Sequence, residues 1–176
     1  MFDWGFTLAL VTNGVLIGLM YSLIALGFVL VYKATDAINF AQGEFVMLAG
    51  FIVAGMLVLA DAPFWLAVAV AVLGMVAFGF GLERVVLRPL IGRPIIAVIM
   101  ATIGLATVLR GAAPLFFGAE PRSITLPISD EPFAFGPFTL PPVQVAGALL
   151  SLAFLAAFTW FFLKSRMGVA MRAVAD

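Results

Sequence analysis

The chain has 176 residues, 65% hydrophobic and 10% charged, with nine basic and nine acidic side chains in formal balance. A soluble domain is about half apolar and about a quarter charged, and one this small exposes too much surface to hide such a surplus, so the solvent for this chain is lipid. With no cysteine or histidine it has no disulfides, thiol catalysis, zinc sites or imidazole acid–base chemistry, and no basic run points to nucleic acid.

A membrane-spanning helix needs about 20 apolar residues, and the charges cut the chain into five candidate spans. The N-terminus carries Asp3 and neither Lys nor Arg before Phe6, and the apolar run that follows is too long for a signal peptide, so it reads as a retained helix. That first span, Leu8–Tyr32, is free of charge but holds Asn13, Tyr21 and Ser22. An amide in hydrocarbon needs a partner, and a hydrogen bond to another helix is the expected use of Asn13; contact with a solute is the alternative. Gly14, Gly18 and Ser22 recur at four-residue spacing, as do Gly50 and Ala54 and, later, Gly147 and Ser151. Such faces let helix backbones approach closely in lipid, or line a transport path.

The second span, Phe40–Ala60, opens on the most informative stretch, Asn39-Phe40-Ala41-Gln42-Gly43-Glu44. Asn39 suits an N-cap, with Gln42 at the capping-box position, which starts a helix at or inside the cytoplasmic boundary. Glu44 then lies near the positive end of the helix dipole and must face protein or water. It is expected either to pair with a basic neighbour, Lys33, Arg84 or Arg88, or to line the inner mouth of a pathway. The third span, Ala62–Leu82, begins at Pro63. The fourth, Ile95–Leu109, is short: it either extends past Arg110 through Gly111–Phe117 or is a broken, re-entrant helix. Its Thr102 and Thr107 are expected to bond back to their own helix. Seven of the ten prolines fall in Gly111–Pro142, which reads as an external cap in which short extended pieces such as Ser123–Leu126 and Phe133–Leu140, with Gly136-Pro137 as a turn, pair as a hairpin. The fifth span is Val143–Leu163, ended by Lys164.

Basic residues orient these spans. Lys33, Arg84, Arg88, Arg93, Lys164, Arg166 and Arg172 fall in one alternate set of loops, with Arg110 and Arg122 in the other. The first set is expected in the cytoplasm, with the N-terminus outside and residue 176 inside. The fold class is therefore an all-α integral membrane protein of about five transmembrane helices with an external proline-rich loop, residues 1–176 forming one membrane domain. There is no nucleophile–base pair, no clustered intramembrane carboxylates and no GxxxxGK[ST] loop. No cofactor or metal is implied, and any ATP would be hydrolysed by another chain.

Several stretches together resemble a known family. Asn13-Gly14 through Tyr21-Ser22-Leu23-Ile24-Ala25-Leu26-Gly27 to Val31-Tyr32 is similar to the first helix of branched-chain amino-acid ABC permeases of the LivH type, and Ile38–Glu44 resembles that family's most recognisable motif. Glu83-Arg84 with Arg88-Pro89-Leu90, then Thr102-Ile103-Gly104, then Ser165-Arg166-Met167-Gly168 with Met171-Arg172-Ala173, follow in the family's order. The resemblance implies a permease subunit of the cell (inner) membrane, working by alternating access for branched-chain amino acids or related small polar solutes such as amides and urea. It implies as partners a second related permease, two cytoplasmic ATPase subunits and an external solute-binding protein. Asn13, Tyr21, Ser22, Asn39, Gln42 and Glu44 become candidates for the substrate pathway, and Arg166, Gly168 and Arg172 for ATPase coupling. Such permeases are usually longer, so the membrane domain is expected to be incomplete at Asp176. An ATP-independent channel or facilitator, and a structural membrane subunit, are the competing readings.

Overall fold

The computed structural model describes residues 4–35, 38–118, 124, 126–128, 131–135 and 138–165. Five helices dominate: α1 (Trp4–Thr35), α2 (Gln42–Leu59), α3 (Phe64–Leu82), α4 (Ile95–Phe117) and α5 (Pro142–Lys164). All five are long and apolar enough to cross a membrane. A two-stranded antiparallel hairpin, β1 (Phe133–Phe135) and β2 (Phe138–Leu140), precedes α5, with Phe133 opposite Leu140 and Phe135 opposite Phe138. Phe133–Leu140 thus pairs on itself as a hairpin, whereas most of the remaining proline-rich stretch, Ser123 and Thr125 included, falls outside the described residues.

The chain divides into two compact units, Thr35–Pro127 and, discontinuously, Met1–Ala34 with Ile128–Asp176. The first unit holds α2, α3 and α4. Here α2 lies between its two neighbours: Phe45 meets Phe78 of α3 edge-on with ring centroids 5.7 Å apart, and Phe51 stacks on Phe117 of α4 at 5.4 Å. In the second unit, Gly147 of α5 closes on Met20 of α1; a Cβ placed on Gly147 would stand 3.0 Å from the Met20 Cε.

Most of the residues these helices bury are small. Ala67 and Ala71 in α3, Ala113 in α4 and Ala148 and Ser151 in α5 are buried, while Leu10, Val15, Leu73, Phe80, Leu150 and Trp160 are exposed. This inverts the rule for soluble proteins. Lipid solvates a leucine as well as a protein core does, so nothing drives large apolar groups inward and close packing of small ones holds the helices. The glycines divide accordingly: a Cβ at Gly55 would touch the Phe117 ring at 3.4 Å, whereas Gly14, Gly18 and Gly50 have open space beside them.

Helix ends follow local chemistry. Asp61 takes a left-handed φ of 47°, letting the Ala62 N–H reach the Met56 carbonyl at 3.1 Å and turn the chain towards α3. Past Leu82 the α3 backbone runs on through a π turn, Glu83–Leu87, and a 3₁₀ turn, Arg88–Leu90, so the apolar helical rod spans Phe64–Leu90. The fourth helix takes the longer of its two expected forms, continuing past Arg110 to Phe117 with Pro114 inside it.

Candidate functional site

The chain enters α2 through non-helical backbone at Ile38–Ala41. Asn39 and Ala41 are buried there, at 4% and 0% exposure. The Asn39 side chain does not cap the helix as expected: the cap position is Ala41, without a side-chain bond, and Gln42 is the first helical residue. Instead the Ala41 N–H donates to Asn39 Oδ1 at 3.0 Å, folding the approach into a tight side-chain turn. The Ala41 carbonyl then accepts from the Glu44 and Phe45 amides at 3.0 and 3.2 Å and begins the helix. Gln42 makes no side-chain hydrogen bond among the described residues, so no capping box forms.

This entry is pinned to α4. The fully buried Thr102 hydroxyl shares its proton between Ile99 O in its own helix, at 3.0 Å, and Ile38 O across the interface, at 3.4 Å. The expected back-bonding is present, as it is for Thr107 on Ile103 O at 3.0 Å, but at Thr102 it also ties down the break. Thr102 is seven residues into α4, about 10 Å at 1.5 Å per residue. The irregular backbone therefore lies inside the length of the bundle, where only protein or a water-filled cavity tolerates it.

Two turns further along α4, Arg110 donates through Nε, at 3.1 Å, and through Nη2 to Glu44 Oε1. This corrects the expected pairing of Glu44 with Lys33, Arg84 or Arg88. Those residues lie in or beside the connections between spans, whereas the longer α4 carries Arg110 within the span and in register with α2. The offset of 66 positions between Glu44 and Arg110 also relates Phe51 to Phe117, so the two helices run in parallel. The Glu44 side chain is 9% exposed and that of Arg110 75%. Phe45, next to Glu44, packs on Phe78, about 21 Å from the Phe64 end of the α3 rod and about 18 Å from its Leu90 end. Phe78 itself stands five residues, about 8 Å, before the charged end of α3 at Glu83-Arg84, so the ion pair lies within the spans, towards that end.

Among the first-helix candidates, Asn13 Nδ2 donates to Ala9 O at 3.0 Å, within its own helix, and its buried Oδ1 has no partner among the described residues. Among the described residues Asn13 makes no bond to another helix, its amide group turning back along α1. Ser22 also bonds back, to Leu19 O at 2.5 Å, and Tyr21 is exposed. These three belong to one compact unit, and Asn39, Gln42 and Glu44 to the other. Arg166, Gly168 and Arg172 lie outside the described residues. The residue that sequence reasoning missed is Arg110. Its signal was the apolar run resuming at Ala112-Ala113, which places the charge inside a span and calls for an acidic partner at the same depth.

Five membrane-length helices, with a buried irregular entry to α2 and an ion pair between two of the spans, define a multi-pass α-helical membrane protein. The family described as "Branched-chain amino acid transport system / permease component" matches residues 10–176. The chain belongs to that family. It is 32% identical to the high-affinity branched-chain amino acid transport system permease protein LivH of Salmonella typhimurium strain LT2 and to its namesake in Escherichia coli K12, and 31% identical to BraD of Pseudomonas aeruginosa. Each comparison covers 93% of this chain and 57% of the relative, so the chain spans little more than half the length of these curated relatives. No solved structure matches it significantly.

Proposed function

We propose that this chain is part of the membrane-spanning permease subunit of an ABC importer for branched-chain amino acids or related small polar solutes. The observation that carries the reading is the family match, which runs through all five helices. The break at Ile38–Ala41 supports it, because polar and irregular backbone inside a helical bundle suits a solute path. Asn39, Gln42 and Glu44 are the inner part of that path, with Asn13, Tyr21 and Ser22 on α1 contributing to it. ATP is hydrolysed by two separate cytoplasmic subunits, a second related permease completes the membrane part, and an external binding protein delivers solute. Arg166, Gly168 and Arg172 lead to the ATPase contact.

The orientation is N-terminus outside and residue 176 in the cytoplasm, in the inner membrane. With Arg110 assigned to α4 rather than to a loop, the basic residues divide seven to one in favour of this arrangement. The test is uptake of radiolabelled leucine in cells lacking their own leucine transport, with the full-length gene expressed alongside its partner subunits. ATP-dependent accumulation is expected. Flux that persists without the ATPase subunits would make the protein a channel, and no flux with the assembly intact would reject the transport reading.

A further inference from the structure

The intramembrane charge pair is lopsided. Glu44 is enclosed, and both bonds from Arg110 converge on its Oε1, engaging Nε and one Nη2 hydrogen. A guanidinium has five donors. Three remain, of which one on Nη1 and one on Nη2 form the end-on edge of the fork, and none has a partner among the described residues. The side chain that carries them is 75% exposed. An arginine at this depth cannot rest against lipid, so its free edge must meet water, protein or an anionic ligand.

The geometry points to Arg110 as the carboxylate anchor of a solute-binding site between the membrane spans α2 and α4, with Glu44 as the positioning residue that fixes the fork. The inference rests on the transport reading above and sharpens it. The end-on edge presents parallel N–H groups, which match the two oxygens of a carboxylate. Urea and simple amides offer a single carbonyl oxygen and leave donors unsatisfied. Charge narrows the choice further. Glu44 and Arg110 cancel, so a plain anion would leave a net negative charge inside the membrane, whereas an α-amino acid arrives with its own ammonium and adds none. The favoured solute is therefore a zwitterionic amino acid with an uncharged side chain. The buried turn at Asn39 and its tie to Thr102 lie two helical turns away on α4, so the polar surroundings such a site needs continue along the same helix.

The test measures binding of tritiated leucine to the full-length permease assembled with its partner subunits in nanodiscs, without the external binding protein. Leucinol, which keeps the ammonium and side chain but lacks the carboxylate, is the competitor. On the unmodified assembly, unlabelled leucine is expected to compete and leucinol to compete at least about tenfold less well, the loss expected when a charge-assisted hydrogen-bonded partner is removed. Equal competition overturns the proposal. Arg110→Gln is expected to weaken leucine binding by a similar factor in an assembly that elutes normally, and unchanged binding overturns it. If Arg110→Gln fails to assemble, the exchange Glu44→Arg with Arg110→Glu separates the roles. Restored assembly without leucine binding supports the anchor, and restored assembly with full binding means that Arg110 serves structure alone. An unmodified assembly that transports leucine but does not bind it in this assay overturns the site and leaves the transport reading standing; one that neither binds nor transports any solute overturns both.

Discussion

Thr102 donates its hydroxyl to the carbonyl of Ile38, a residue 64 positions earlier that stands just outside the first turn of α2. The bond joins the irregular backbone at the entry to α2 to a regular helix. Replacing Thr102 with Val keeps the shape and deletes the donor. Hydrogen bonds between elements in membranes average about 0.6 kcal/mol and reach about 1.7. A loss of about 1 kcal/mol is expected, because the Ile38 carbonyl has no other described partner. Reversible unfolding in mixed micelles would measure it, and a Thr102→Val protein as stable as the parent would mean that the 3.4 Å contact carries no energy.

The enclosed member of the Glu44–Arg110 pair sets the energetics. Arg110→Ala leaves a carboxylate at 9% side-chain exposure without its cation, whereas Glu44→Gln leaves a guanidinium that is already three-quarters exposed. Breaking a buried pair costs about 3–5 kcal/mol when the remaining charge is trapped. About 3 kcal/mol is expected for Arg110→Ala and about 1 kcal/mol for Glu44→Gln, since an exposed charge can be rehydrated. The double variant should be more stable than Arg110→Ala alone. A double-mutant cycle in the same unfolding assay decides, and equal costs for the two single changes would contradict the asymmetric burial.

The five spans, their order and the hairpin at Phe133–Leu140 were legible in the sequence because each rests on a local property: apolar length, punctuation by charge, or the turn-forming Gly136-Pro137. What escaped was register. Whether Glu44 meets Arg84 or Arg110 depends on how far α2 slides along its neighbours, and a featureless apolar surface does not encode sliding. The clue lay in Phe51 and Phe117, whose stacking fixes the offset, yet aromatic residues are too common in this chain to be paired by inspection. Asn39 misled for a related reason. Its side chain can cap a helix or fold back on the residue two positions ahead, and the tertiary contact at Thr102 decides between them.

Gly147 tests how tightly α1 and α5 pack within their unit. A Cβ there would lie 3.0–3.1 Å from the Cε and Sδ of Met20, the mobile end of a flexible side chain. Gly147→Ala is therefore expected to be tolerated within about 0.5 kcal/mol, because methionine repacks readily and alanine is the better helix former. Gly147→Leu cannot be absorbed in the same way and should destabilise by about 1–3 kcal/mol, the usual cost of overpacking. Combining it with Met20→Ala should recover part of that loss. If Leu at 147 is as well tolerated as Ala, the helices are not in close contact at this level.

Because these 176 residues hold no cysteine, single cysteines placed among them can be assigned to one side of the membrane by labelling. Asp61 sits at the tight turn between α2 and α3, and Arg93 in the short connection between the α3 rod and α4; both residues are exposed. The rod between them spans 27 residues, about 40 Å, enough to cross roughly 30 Å of hydrocarbon, so the two positions belong on opposite faces. The orientation proposed from the basic residues puts Arg93 inside. Asp61→Cys is thus expected to react with a membrane-impermeant maleimide in intact spheroplasts, and Arg93→Cys only after lysis. Reaction of both from outside would mean that the rod does not cross. The reverse pattern would invert the topology and put Arg166, Gly168 and Arg172 on the side away from any cytoplasmic ATPase.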